Sequence, residues 1–217
     1  MLELVSIPRS FFELTGEYER ANITLWGDRT KVLDHLFDSL LPLHPRVDDV
    51  EIITEGRPSE QGIKIRIPSK DTSFFFGLES CRFSRDDPDW QSAEEMFQIL
   101  QTLISSLSES SGIKIARCRT TIGMHIQPSN GNYLDILKPF LSPSLASLEA
   151  TAPIGIASVI GWPNRSITVD NSMHLANALF LKLGRTFEGV MEFEEISSRL
   201  RADQFEVFKI LGVEERL

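Results

Sequence analysis

The stretch GNYLDILKPFLSP, residues 131–143, decides how this chain is read, because TKVLDHLFDSLLP, residues 30–42, has already stated nearly the same pattern. Leu33, Asp34, Leu36, Leu40 and Pro42 recur as Leu134, Asp135, Leu137, Leu141 and Pro143, each 101 positions later (134 − 33). In the earlier stretch Val32, Leu33, Leu36, Phe37, Leu40 and Leu41 form one apolar stripe at helical period. Pro42 and Pro45 stop that helix, and Asp28 or Thr30 supplies its N-cap. In the later stretch Pro139 predicts a helix of only one or two turns, since proline removes a backbone donor and clashes with the preceding turn.

Working outward, the element order repeats. Residues 1–19 read as an N-terminal segment. ANITLWGD then reads as a strand ending at Gly27, followed by the first helix. DVEIIT and GIKIRIP are strands joined by the hairpin loop EGRPSEQG, with Ile63, Ile65 and Ile67 on one face and Lys64 and Arg66 on the other. TSFFFGLESCRF reads as a third strand. Trp90, Ala93, Phe97, Leu100, Ile104 and Leu107 mark a helix that Gly112 ends.

The sequence then begins again. IKIARCRTTIGMHIQ is a long strand, and GNYLDILKPFLSP takes the place of the first helix. PIGIASVIGW and RSITVD are strands. HLANALFLKLG is read as a strand, although Ser172 and Gly184 would also cap and close a helix. Phe193, Ile196, Leu200, Val207 and Leu211 mark a final helix with an expected break near Asp203. The expectation is an α+β fold of two tandem β-α-β-β-β-α repeats, residues 20–111 and 112–217, in one compact structural domain. Antiparallel sheets with helices packed on one face and a pseudo-twofold arrangement would follow. This order is similar to the duplicated saddle of the TATA-box-binding protein family. The resemblance covers element order, so it implies a fold and no activity.

Composition narrows the class. The 217 residues are 41% hydrophobic and 24% charged, as in ordinary folded proteins. No apolar run approaches the roughly 20 residues of a membrane span. Glu3, Glu13 and Glu17 stand where a secretory leader would be basic and then apolar, so a cytoplasmic location is expected. Cys81 and Cys118 are too few for a disulfide framework and read as buried thiols. Thirty-one acidic residues against 22 basic ones leave a net charge of −9. That balance disfavours nucleic acid and, for a macromolecular partner, favours a basic protein.

No dinucleotide, phosphate-loop, hydrolase or metalloprotease motif is present, and no cofactor, metal ion or catalytic constellation is expected. Arg117, Arg119 and His125 share one face of a regular strand and form either an anion site or a solvated, carboxylate-paired face. Asp86, Asp87 and Asp89 read as a helix cap or as oxygen ligands for a cation. Asp170, Ser172 and His174 have the residue types of a hydrolytic triad, which is recognised by a geometry that sequence does not give. Trp26, beside Asp28, and Trp162 flank loops, either as core residues or as partner anchors.

The sequence therefore favours a non-catalytic protein-binding protein with an acidic surface, such as an immunity protein or inhibitor that neutralises a toxin. Its partner contacts would fall on Trp26, Asp28, Asp86, Asp87, Asp89 and Trp162. The alternative is a binding protein or enzyme for a small anion or phosphate ligand, with its pocket between the two repeats, lined by Arg117, Arg119 and His125.

Overall fold

A computed structural model of the chain describes residues 3–68, 71–86, 90–140, 158–162, 164–189 and 193–215. Ten strands lie among them: β1 (Glu3–Tyr18), β2 (Val50–Ile53), β3 (Gly62–Ile67), β4 (Thr72–Gly77), β5 (Ser80–Asp86), β6 (Ile115–Pro128), β7 (Ser158–Trp162), β8 (Arg165–Asn171), β9 (Leu179–Glu188) and β10 (Val213–Glu215). The α-helices among the described residues are α1 (Ile23–Gly27), α2 (Arg29–Leu40), α3 (Trp90–Ser111), α4 (Tyr133–Leu137) and α5 (Phe193–Leu211). The fold is mixed α+β, with a large sheet ordered β2-β3-β4-β5-β1-β6-β9-β8-β7 and β10 added parallel to β1. Two compact units divide the chain, and both are discontinuous. One comprises Met1–Ser10, Thr121–Arg185 and Glu194–Leu217, and the other Phe11–Thr120 and Thr186–Phe193. They are called the first and second units below.

In the second unit, β2 to β5 form an antiparallel meander whose register sets Ile63 against Phe76, Ile65 against Phe74 and Phe74 against Phe83. These side chains are fully buried, while Arg66 and Arg82 on the opposite face are exposed. The stretch expected as one strand, TSFFFGLESCRF, is thus two. Leu78 and Glu79 form the turn, and their carbonyls accept from Asn22 and Tyr18 N–H. The turn was hidden because Phe76 pairs with Cys81, so apolar residues on either side of it fall on the same face.

Residues 3–18, expected to lie outside the repeats, are a strand. Phe12, Leu14, Gly16 and Tyr18 are buried, and Glu13, Thr15 and Glu17 alternate with them, a period of two. Val5 is also buried, at an odd spacing of seven from Phe12, and Pro8 lies between them. ANITLWGD, expected as a strand, contains the helix α1 instead. The Asn22 side chain accepts from Leu25 N–H at 3.2 Å, and five residues are too few for a helical period to declare itself.

Helix α2 appears where the stripe placed it. Asp28 caps it through Lys31 N–H at 3.2 Å, and Val32, Leu36 and Leu40 are buried. Helix α3 buries Leu100, Leu103 and Leu107 and ends at Gly112, whose φ of +65° glycine tolerates. The two helices pack together, with Ser106 Oγ donating to the His35 carbonyl at 3.2 Å.

In the first unit, α4 is short, as Pro139 requires, and continues as a 3-10 turn over Lys138–Phe140. Its capping box is complete: Asn132 accepts from Leu134 N–H and Asp135 accepts from Asn132 N–H. The sequence echo is visible here. Leu36 and Leu137 are both buried, Leu33 and Leu134 half-buried, and Asp34 and Asp135 exposed. Leu141 and Pro143 lie outside the described residues. Strand β9 matches the strand reading for the second half of its segment, burying Leu179, Leu181 and Leu183, whereas residues 174–177, expected in the same strand with Leu175, form a turn that Ser172 caps. Helix α5 runs without the break expected near Asp203, because that carboxylate points inward to partners described below. No helix among the described residues is long and apolar enough to cross a membrane.

Gly62 and Gly77 are cross-strand partners, and a Cβ at Gly62 would run into the Phe76 carbonyl oxygen. At Gly27 a Cβ meets nothing within 4 Å. Gly62→Ala should lower unfolding free energy by about 1–3 kcal/mol. Gly27→Ala should change it by less than about 1 kcal/mol, and equilibrium urea denaturation of both variants checks the contrast.

Candidate functional site

Arg117 and Arg119 are exposed neighbours on β6 in the second unit. Both are paired: Arg117 lies 3.9 Å from Glu17 and 3.6 Å from Glu188, and Arg119 lies 3.5 Å from Glu17. Carboxylates of the chain itself therefore take up their charge. Exposed pairs of this kind contribute about 0–1 kcal/mol each, so they neutralise more than they stabilise.

His125 belongs to the first unit and is 4% exposed. Its Nδ1 lies 2.9 Å from Ser172 Oγ, which also accepts from His174 N–H at 3.2 Å and Leu175 N–H at 2.9 Å. Ser172 Oγ therefore gathers two backbone donors and the His125 ring at one point. The ring packs on Phe180, with centroids 5.0 Å apart, and edge-on to His174 at 5.5 Å. Ser172 thus caps the turn leading to β9 and ties it to β6. Its hydroxyl faces His125, and His174 is exposed, so Asp170, Ser172 and His174 form no triad.

The remaining candidates are scattered. Asp28 is spent on capping α2. Asp86 ends β5 and lines a shallow recess of about 360 Å³ with Arg66, Asp71, Ser73 and Ser84. Asp87 and Asp89 lie outside the described residues, as do the side chains of Trp26 and Trp162. The Trp26 backbone is within α1, and Trp162 closes β7 opposite Arg165. Among the described residues, no group of His, Cys, Asp and Glu is placed to hold a metal ion.

The best-organised polar constellation is one that sequence reasoning missed. The β8–β9 register sets Arg165 directly against Arg185, on the face that carries Ile167 and Leu183. Asp203 from α5, 2% exposed, holds both: Arg165 at 2.8 Å, and Arg185 through two bonds of 2.6 and 2.7 Å. Glu206 accepts a further 2.7 Å bond from Arg165. Burial opposes ionisation of Asp203, but the hydrogen bonds and charges of Arg185 and Arg165 outweigh it, and its carboxyl sits below the usual value. No local motif announces this cluster, because Arg165 and Arg185 meet only through strand register. Two guanidiniums opposed across strands repel, and the carboxylate between them makes the arrangement tenable.

The two cysteines are buried and free. Burial raises the Cys81 thiol to about 11 and, with Cys81 nearby, the Cys118 thiol to about 12. Both are therefore protonated and poorly nucleophilic at neutral pH.

Asp203→Asn should cost about 3 kcal/mol, because it removes the buried carboxylate that bridges two semi-buried guanidiniums, while Arg165 keeps Glu206. A depressed native pKa means that the unfolded chain binds the proton more readily. The carboxylate's contribution is complete above about pH 4 and is lost as pH falls through the native value. Urea titrations across the acid range should show a shallower acid loss in the variant than in the wild type. A thiol reagent at mildly alkaline pH should leave both cysteines unlabelled in the folded chain and label both in denaturant.

No protein-family model matches the chain, and no curated protein matches it. The chain is similar to several solved structures. With Methanococcus jannaschii TBP it shares 11% identity over 95% of this chain and 97% of that one, at a TM-score of 0.36. With a chain of the A. aeolicus tRNASec complex with M. kandleri SerRS it shares 11% identity over 94% of this chain and 31% of that one, at 0.34. With the rolling circle replication initiator protein from Geobacillus stearothermophilus it shares 10% identity over 92% and 80%, at 0.36. Overlaps this loose carry no functional weight.

Proposed function

We propose that the protein is a non-catalytic binding protein whose acidic surface engages a basic protein partner, as an immunity protein or inhibitor that neutralises a toxin would. The observation that carries this reading is the disposition of charge. The chain carries −9 overall, and between residues 34 and 60 of the second unit Asp34, Asp38, Asp48, Glu55 and Glu60 are exposed against the exposed cations Arg46 and Arg57. The cations that would make an anion site, Arg117 and Arg119, are engaged by Glu17 and Glu188. A surface of this kind steers a cationic protein and tolerates little nucleic acid. A cytoplasmic, reducing setting is part of the proposal and is supported by the two free buried thiols.

We also propose that the two halves descend from one duplicated repeat in a pseudo-twofold arrangement. In sheet order, β1 is followed outward by β5, β4, β3 and β2, and β6 by β9, β8 and β7. Each half runs from a long strand through a helix and a meander to a long helix.

Affinity capture on the immobilised full chain, from extracts of its source, tests the functional reading. A stoichiometric basic companion released by salt is expected. Recovery of the protein alone, or a nucleotide or phosphate metabolite that raises the melting temperature, would overturn it.

A further inference from the structure

We propose that β2 is a docking strand, adding an extended segment of a basic protein in which apolar residues alternate with lysine or arginine. The inference rests on the functional reading above and deepens it by naming the surface. Strand β2 is outermost in the sheet order, with β3 on one side and, among the described residues, no strand on the other. Such an edge presents backbone N–H and C=O groups that an incoming strand satisfies.

The two faces of β2 specify what that strand carries. On one face Val50 and Ile52 continue the row of Ile65 and Ile63, their cross-strand partners. Ile63 and Ile65 are fully buried, whereas Ile52 is 48% exposed, so cover on the apolar face thins at β2. An apolar side chain on the added strand would shield Ile52. On the other face Glu51 lies opposite Lys64, and Arg66 approaches it at 3.7 Å. Charge on that face thus reads cationic on β3 and anionic on β2, and a cationic residue on the next strand continues the alternation. Asp48 and Glu55, both exposed, flank the strand and extend the anionic stretch. Antiparallel pairing with a second copy of this chain would set the stretch carrying Asp48, Glu51 and Glu55 against the same stretch reversed, with Asp48 near Glu55, which disfavours self-pairing and selects a basic occupant.

The test is fluorescence anisotropy with the full-length chain and three labelled peptides. One is GSKVKIKGS. The second, GSKKKVIGS, has the same composition without alternation, and the third, GSEVEIEGS, has reversed charge. The alternating cationic peptide should bind best, by about fivefold over the blocked one, and salt should weaken it. Glu51→Lys should weaken it by about fivefold and Glu51→Gln by less. Because Glu51→Lys also sets a cation against Lys64 and Arg66 and should lower the melting temperature slightly, Glu51→Gln, which should leave it nearly unchanged, is the control for folding. Equal binding of the blocked peptide, no binding of any peptide, or indifference to Glu51→Lys would overturn the docking strand. Affinity capture separates this from failure of the broader reading. A basic companion captured equally by wild type and Glu51→Lys overturns the edge alone, and absence of any basic companion removes the broader reading as well.

Discussion

A carboxylate set between two guanidiniums governs the first unit. The β8–β9 ladder cannot bring Arg165 against Arg185 on its apolar face without a counter-charge, and Asp203 supplies it from α5. The helix is therefore fixed to the sheet by direction as well as by apolar contact. Leu200, Val207 and Leu211 would bury almost as well after a small slide along the strands, because dispersion contacts are undirected. Two bonds from one guanidinium and one from another are far less permissive.

The second unit solves a different problem by different means. Its core is a sheet of large aromatics, and Phe74, Phe76 and Phe83 fill it to the point where main chains must crowd elsewhere. Gly62 is where they do, against the Phe76 carbonyl; a Cβ at Gly77 would meet the Phe75 ring, and one at Gly16 on β1 would approach Cys81 Sγ at 3.0 Å and Ile115 Cδ1 at 2.8 Å. Bulk in one row is matched by its absence in the next. The same packing buries both thiols and removes them from neutral-pH chemistry.

How much of this was legible varied with the length of each signal. The stripe from Val32 to Leu41, the alternation of Ile63, Ile65 and Ile67, and the shortening at Pro139 each rest on local rules, and each element formed as its rule required. The elements that escaped were too short or depended on partners. Helix α1 is five residues and β10 three, below any periodicity. The β4–β5 turn was masked because pairing Phe76 with Cys81 leaves apolar residues on both sides of it. Among the candidate site residues, sequence placed Arg117 and Arg119 together on one strand face, but their carboxylate partners are distant in the chain: Glu17 on β1, about a hundred residues before them, and Glu188 at the end of β9, 71 residues after Arg117 (188 − 117). His125 shares the strand by sequence, yet its environment is set by Ser172, which pattern alone does not bring near.

Strand β1 changes phase between Val5 and Phe12, with Pro8 in the interval. Because a pleated strand distinguishes only odd from even, the count of residues across that interval acts as a parity lock on the whole N-terminal segment. Loss or gain of one residue there would invert every side chain on one flank, turning Glu13, Thr15 and Glu17 toward the interior. Changes in pairs would preserve the alternation.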